Sequence, residues 1–304
     1  MTSFIKEYAK IHPEVALALE DGKPVVALES TVITHGLPYP QNLELAKSLE
    51  ADIRDAGCTP ATIAILDGVI RVGLEPDQIE RLADTKDMVK VSSRDIAYTA
   101  TCRKSGGTTV AGTLTIAQEV GIKIFATGGI GGVHRQAPFD VSADLVQLAR
   151  SPLVVVCAGA KAILDIPATL EVLETNGVPV VGYMTDDFPA FYSVSSGLRV
   201  SARVDTAQQA AELAKAHWRL GLRSAILLAV PPPVELALES AYVETSIETA
   251  LREAQERGIH GQAVTPFLLS RVSELTGGRS LQTNLGLLHN NARVAAKVAQ
   301  YLYS

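Results

Sequence analysis

Short apolar runs that alternate with amphipathic stretches place this chain in the α/β class, with a largely parallel sheet covered by helices on both faces. Two observations carry that expectation. The runs are apolar at every position rather than at alternate ones, which is what a strand buried on both faces requires. The stretches between them repeat their apolar residues at helical spacing. Val25-Val26-Ala27-Leu28, after Pro24, is the first such strand. Gln41 to Ala56 then reads as a helix, with Leu45, Leu49, Ile53 and Ala56 on one face and Gly57 as its stop. Strands follow at Ala61 to Leu66, Lys123 to Thr127, Leu153 to Cys157, Val178 to Gly182 and Ser224 to Val230. Helical patterns fill the gaps at Thr113 to Val120, Ala168 to Asn176, Thr206 to Leu220, Ala241 to Arg257, Pro266 to Leu275 and Ser280 to Tyr301.

No repeat and no low-complexity linker interrupts the pattern, so residues 1–304 read as a single domain. Pro231-Pro232-Pro233 directly follows a strand and reads as a rigid loop. With 304 residues, 47% of them hydrophobic, the chain can bury a large core. Lys and Arg number 27 against 33 Asp and Glu, a net charge of −6, which argues against a nucleic-acid groove or an anionic membrane surface as partner. A phosphorylated small molecule stays open, because a few cations and backbone N–H groups suffice for one phosphate. The three cysteines, Cys58, Cys102 and Cys157, form no Cys-x-x-Cys pair and read as reduced thiols. Met1 to Lys23 lacks an apolar core, and no run approaches the roughly 18 residues of a membrane span, so the expectation is a soluble, cytoplasmic protein.

Several segments could carry chemistry. Thr127-Gly128-Gly129-Ile130-Gly131-Gly132-Val133-His134 follows a strand but does not fit Gly-x-Gly-x-x-Gly, so a nicotinamide site is poorly supported. Its glycines let backbone approach a ligand and point N–H groups at it, or they make a tight structural turn. His134-Arg135 beside the loop favours the first. Asp140-Val141-Ser142-Ala143-Asp144 opens like an EF-hand, but Leu145 and Ser151 stand where that loop needs Gly and Glu. Either Ser142 caps a helix beginning at Ala143, or Asp140 binds a divalent cation while Ser142 and Asp144 face substrate.

Cys157-Ala158-Gly159-Ala160-Lys161 ends a strand, where open α/β sheets bind ligands. A helix starting there, together with burial, would depress the Lys161 pKa and make it an amine nucleophile; the alternative is a solvated or phosphate-binding lysine. Glu29-Ser30-Thr31 ends the first strand and is followed by His35-Gly36, so Glu29 is a general acid or base, or else a cap or turn salt bridge. Lys90-Val91-Ser92-Ser93-Arg94-Asp95 could hold a phosphate or be a polar turn. Gly106-Gly107-Thr108-Thr109-Val110 precedes a helix and could present N–H groups to an anion.

Together these blocks, with Phe139, Thr265-Pro266-Phe267-Leu268-Leu269, Thr276-Gly277-Gly278, Asn284 and Asn290-Asn291, resemble the pseudouridine-5'-phosphate glycosidases, the indigoidine synthase A-like family, from about Pro13 to the last helix. The resemblance implies a three-layer α/β/α fold with a largely parallel mixed sheet and a homotrimer. It implies reversible conversion of pseudouridine 5'-phosphate and water into uracil and ribose 5-phosphate. By the same likeness, Lys161 is the nucleophile that bonds the ribose anomeric carbon, Glu29 the proton donor, and Asp140 the ligand of one divalent metal per subunit, usually manganese. Lys90, Thr109, Val110, Ser142, Ala143 and Asp144 match substrate-binding positions, and Thr127, His134 and Asn284 resemble further pocket residues. The chain departs from the family pattern between His134 and Asp140, where its loop is short.

Elementary chemistry agrees with those roles. A carbon leaving group has no lone pair to protonate, unlike the leaving group of a two-carboxylate glycosidase. A lysine adduct supplies the electron sink as an iminium, and a carboxylic acid with a raised pKa supplies the proton. Competing readings are a Schiff-base aldolase acting on a sugar phosphate and a phosphometabolite-binding protein without catalysis.

Overall fold

The computed structural model describes residues 7–135, 137–259 and 264–304. Its strands in chain order are β1 (Ala9–Ile11), β2 (Val25–Leu28), β3 (Thr59–Leu66), β4 (Val69–Val72), β5 (Val89–Val91), β6 (Gly106–Thr108) and β7 (Ile124–Ala126). They continue as β8 (Val133–His134), β9 (Ala137–Val141), β10 (Val154–Cys157), β11 (Leu164–Asp165), β12 (Val180–Tyr183), β13 (Ala202–Val204) and β14 (Ile226–Ala229).

Among the described residues the main sheet has 11 strands, in the order β1-β4-β3-β2-β7-β10-β14-β12-β13, with β5 and β6 joined to β3. From β3 to β13 every neighbour along that path is parallel. β4 and β6 run antiparallel to β3, which makes the sheet mixed. Val25, Val26 and Ala27 in β2 and Val154 to Cys157 in β10 are completely buried, as their unbroken apolar runs require.

Crossover handedness explains the layers. From β2 the chain moves to β3 on one side, and from β13 it moves to β14 in the same sense. From β7 to β10, and from β10 to β12, it moves the opposite way. Right-handed crossovers in opposite senses put their helices on opposite faces. Helices Gln41–Asp55 and Ala207–Arg219 accordingly lie on one face and pack against the long C-terminal helix Arg279–Leu302. Helices Ala143–Leu148 and Ile166–Thr175 belong to the other, where Ala143–Leu148 packs on Val110–Val120. The expected three-layer α/β/α arrangement is therefore the observed one. One continuous apolar cluster runs from Val15 to Leu302.

The boundaries differ from the expectations in instructive places. β3 begins at Thr59 and so includes Pro60. Thr59 donates its N–H to Pro24, so the imide of Pro60 faces away from β2, at a level that β4 does not reach. The helix expected from Thr113 starts at Val110, because the Thr109 hydroxyl caps the Gly112 N–H. A small antiparallel sheet, β11-β8-β9, was not foreseen; β8 and β11 have two residues each, too few to show a period.

β6 fits between β5 and β3 only because it carries glycine. A Cβ on Gly106 would stand 2.1 Å from the Val89 carbonyl oxygen, and one on Gly107 2.7 Å from the Ser30 carbonyl oxygen. Gly106→Ala should lower stability by about 1–3 kcal/mol, read as a lower urea midpoint at unchanged slope.

Candidate active site

The sheet reverses its direction of growth between β2 and β7, and a crevice opens beyond the carboxyl ends of strands at such a point. Glu29 is the first residue after β2, and Thr127 the first after β7. Their side chains meet there: the Thr127 hydroxyl donates to Glu29 Oε1 at 2.5 Å, and the Thr31 hydroxyl donates to Oε2. The carboxylate is thus held by two neutral hydroxyls, not by a turn salt bridge. A cavity of about 360 Å³ opens over it.

Lys161 reaches the same cavity from β10. Beyond Cys157 the chain continues beside the glycine loop. Ala158 N–H donates to Gly128, Ile130 N–H to Gly159 and Lys161 N–H to Ile130, at 2.8, 3.0 and 3.0 Å. Ala160 and Ile130 form a parallel bridge. No helix starts at Lys161; the next one begins at Ile166, capped by Asp165. The expected helix-dipole contribution at Lys161 is therefore corrected: its position comes from this extended ladder and the turn into β11.

Every residue assigned from the sequence lines this one cavity: Glu29, Lys90, Thr109, Val110, Thr127, His134, Asp140, Ser142, Ala143, Asp144, Lys161 and Asn284. They arrive from seven different chain segments. Lys90 ends up facing Lys161, Asp144 and Glu29. Burial, and then the Lys161 charge, hold the Lys90 ammonium below its ordinary value, against the opposing pull of Asp144 and Glu29.

The helix cap expected in this segment is present, and Asp140, Ser142 and Asp144 line the cavity as well. Ser142 caps helix Ala143–Leu148, accepting from the Asp144 N–H at 3.2 Å. The Asp144 carboxylate accepts from the Ala111 N–H at 2.9 Å and from the Gly131 N–H at 2.8 Å. It therefore fastens the N-terminus of helix Val110–Val120 to the glycine loop. This changes what that loop does. The N–H groups of Ile130, Gly131 and Val133 are bonded within the protein rather than offered to a ligand. The glycines serve close packing: a Cβ on Gly131 would stand 2.3 Å from Ser142 Oγ, and one on Gly132 2.3 Å from Thr169 Oγ1.

Arg135 turns out of the site. It donates to the carbonyls of Leu164 and Ala162 at 3.1 and 3.0 Å and pairs with Glu244. It lines a separate hollow of about 650 Å³. That hollow is the larger of the two, but no residue assigned from the sequence lines it and its guanidinium is already paired. Asp140 is an exposed carboxylate on β9. Among the described residues no three His, Cys, Asp or Glu side chains gather into a cage. Such a donor set suits only an ion that keeps most of its water and completes its shell with substrate oxygens.

Comparison with known proteins decides the family. The family described as Indigoidine synthase A like protein matches residues 14–301. This chain belongs to the indigoidine synthase A-like family. It is 57% identical over 293 residues to a pseudouridine-5'-phosphate glycosidase of Herpetosiphon aurantiacus, covering 96% of this chain and 97% of the relative. It is 51% identical over 300 residues to one of Caldanaerobacter subterraneus, covering 98% of each. Among solved structures, the prealnumycin C-glycosynthase AlnA in complex with ribulose 5-phosphate superposes with a TM-score of 0.90 at 41% identity, over 98% of this chain and 97% of that one. An indigoidine synthase A-like protein from Thermotoga maritima does so with a TM-score of 0.90 at 34% identity, over 97% of each chain.

Within this indigoidine synthase A-like site, sequence reasoning missed two residues. His35 lines the cavity from a turn of π-helix, Val32–Gly36, its Nδ1 2.6 Å from the Thr34 hydroxyl. Burial, reinforced by the Lys90 charge, holds the ring below the ordinary imidazole value, so it is neutral at physiological pH. Its signal was present beside Glu29. Phe191 left none: it is a buried aromatic with φ of 62° whose ring blocks any side chain at Gly129.

The depressed Lys90 has a consequence for stability. The unfolded chain binds this proton more tightly than the folded one, so its contribution to stability rises as pH climbs from the folded value to the ordinary 10.5. Lys90→Met should therefore raise the thermal melt at pH 7 while reducing activity. The gain should shrink as the melts are repeated at rising alkaline pH.

Proposed function

We propose that this chain reversibly splits the carbon–carbon glycosidic bond of pseudouridine 5'-phosphate to give uracil and ribose 5-phosphate, with Lys161 as nucleophile and Glu29 as proton donor. One observation carries the reading. Lys161 and Glu29 reach one cavity from the ends of β10 and β2, with the glutamate held by threonine hydroxyls and the neighbouring Asp144 carboxylate already taken up by the Ala111 and Gly131 N–H groups. The names of the relatives at 57% and 51% identity support the substrate. The ribulose 5-phosphate bound to AlnA supports a pentose 5-phosphate at the sugar end.

In the cleavage direction the Lys161 amine bonds the anomeric carbon as the ribose ring opens. Glu29 gives its proton to the uracil carbon that bears the sugar. The adduct nitrogen's lone pair then forms the iminium, and the electrons of the breaking C–C bond restore the uracil double bond. Water hydrolyses the iminium, releasing ribose 5-phosphate and the free amine. Lys90 supplies positive charge to the phosphorylated sugar, while Thr109, Val110, His134, Ser142, Ala143, Asp144 and Asn284 shape the pocket around the two halves of the substrate. Asp140 would hold a hydrated divalent ion, manganese by family resemblance, which adds Lewis acidity and orientation at the substrate. The aldolase alternative fits less well, since the sheet is open, with edges at β1 and β13, rather than a closed eight-stranded barrel.

Incubation with uracil, ribose 5-phosphate and Mn²⁺ should yield pseudouridine 5'-phosphate by mass spectrometry; no product from folded, metal-loaded protein would sink the reading. Lys161→Ala should abolish turnover with the melt nearly unchanged. Borohydride treatment with ribose 5-phosphate should fix one pentose phosphate on the wild-type chain, at Lys161 by peptide mapping, and none on the variant.

The assembly is proposed as a cytoplasmic homotrimer, as family resemblance implies. Phe139, 99% exposed, and the exposed Val141 nearby are apolar surface consistent with a subunit contact. Among the described residues no helix is long and apolar enough to cross a membrane. Light scattering in solution should return three times the chain mass; a monomer would exclude the trimer.

A further inference from the structure

The C-terminal helix presents Asn284, Leu288 and Asn291 at spacings of four and three, which is one helical face. That face closes the inner end of the crevice. Asn284 and Leu288 line the cavity, and a Cβ on Gly128 would stand 3.2 Å from Leu288. Asn291 lies deeper and is completely buried. Its Nδ2 donates to the carbonyl oxygens of Thr127 at 2.8 Å and Gly128 at 3.4 Å. Its Oδ1 is buried with no hydrogen-bond partner among the described residues. Leu287, Ala292, Val294 and Ala295, around it on the helix, are all apolar and buried. A position that only had to fill space would gain from leucine, because a buried unpaired amide oxygen is destabilising. The side-chain amide is explained by what its donor holds.

We infer that Asn291 is a positioning residue for proton transfer: it clamps the backbone at Thr127 and Gly128 so that the Thr127 hydroxyl holds the Glu29 carboxylate in place. The inference rests on the proposed role of Glu29. The relay is short. Asn291 fixes the Thr127 carbonyl, the Thr127 N–H is fixed to the Val156 carbonyl at 3.0 Å, and the hydroxyl between them donates to Glu29 at 2.5 Å. No hydrogen bond of this relay reaches the side chain of Lys90 or Lys161, although the Gly128 carbonyl also accepts from Ala158 in the ladder leading to Lys161 and the Glu29 charge acts on Lys90 through space. Phosphate binding at Lys90 therefore does not run through the clamp's hydrogen bonds.

The test uses the full chain with Asn291→Leu, which removes the donor, and Asn291→Asp, which keeps the shape should the first fail to fold. In either variant kcat for pseudouridine 5'-phosphate should fall by about 10–100-fold, the scale of a small misplacement of a reacting group. KM should stay within about twofold, and the ribose 5-phosphate affinity measured by calorimetry should hold, because uniform binding is untouched. The pH profile of kcat should move, which a purely structural role would not cause. Combined with Thr127→Val, the losses should be strongly non-additive, since both substitutions disable one relay. Folded variants with wild-type kcat and pH profile would overturn the inference, as would parallel losses of kcat, KM and affinity, or additive losses in the double variant. An inactive wild type would overturn the functional reading and this inference together; an active wild type with indifferent variants overturns the inference alone.

Discussion

Everything in this molecule depends on central strands that are buried on both faces. β2, β7 and β10 have no solvent side on which to put a polar group. Their polar residues can stand only beyond the strand ends, and the reversal between β2 and β7 separates the flanking loops just there. Glu29 and Thr127 are each the first residue past an apolar strand, and Lys161 follows Cys157 by one short extended ladder. The chemistry sits where it does because burial permits it nowhere nearer.

A crevice made by loops is not rigid by itself. Two buried side chains make it so. Asp144 joins two backbone N–H groups from segments that share no hydrogen-bonded ladder, and Asn291 joins two backbone carbonyls. The carboxylate neutralises donors, and the amide neutralises acceptors. Together they fix both ends of the glycine-rich segment from opposite faces of the sheet. The glycines are needed because the clamps are tight. At Gly131 and Gly132 a methyl group would collide with the side chains that hold the loop, so the segment resembles a ligand-binding loop in sequence but packs as structure.

Legibility in the sequence followed the same physics. β2, β3, β7, β10, β12 and β14 were readable because double burial leaves an unbroken apolar run, and helix Gln41–Asp55 because its buried face repeats at helical spacing. β5, β6, β8 and β11 were not, since two or three residues carry no period and their pairing is decided by distant partners. At the site, Glu29 and Lys161 could be suspected from their places after strands, but only family resemblance joined them to Lys90, Asp140 and Asn284. Arg135 was misleading: adjacency to the loop says nothing about side-chain direction, and a hairpin sends it to Glu244. Phe191 and the donor role of Asn291 depend on φ and on contacts across more than a hundred residues, which no local pattern encodes.

The composition of the cavity is itself an argument about the bond it breaks. An oxygen or nitrogen leaving group can be protonated on a lone pair, and a second carboxylate then suffices to support the cation left behind. A carbon leaving group offers no lone pair, so the sugar must be given an electron source that can become a stable cation. An amine does this by forming an iminium, and a carboxylate does not. Two lysines and one hydroxyl-held glutamate converge here, and Lys90 is kept at a cost in burial and in repulsion from Lys161. That cost is out of place in a cavity that only stores a sugar phosphate, which one ordinary ammonium and a few backbone donors would hold. It fits a site where one cation binds the phosphorylated end and the other amine must reach carbon.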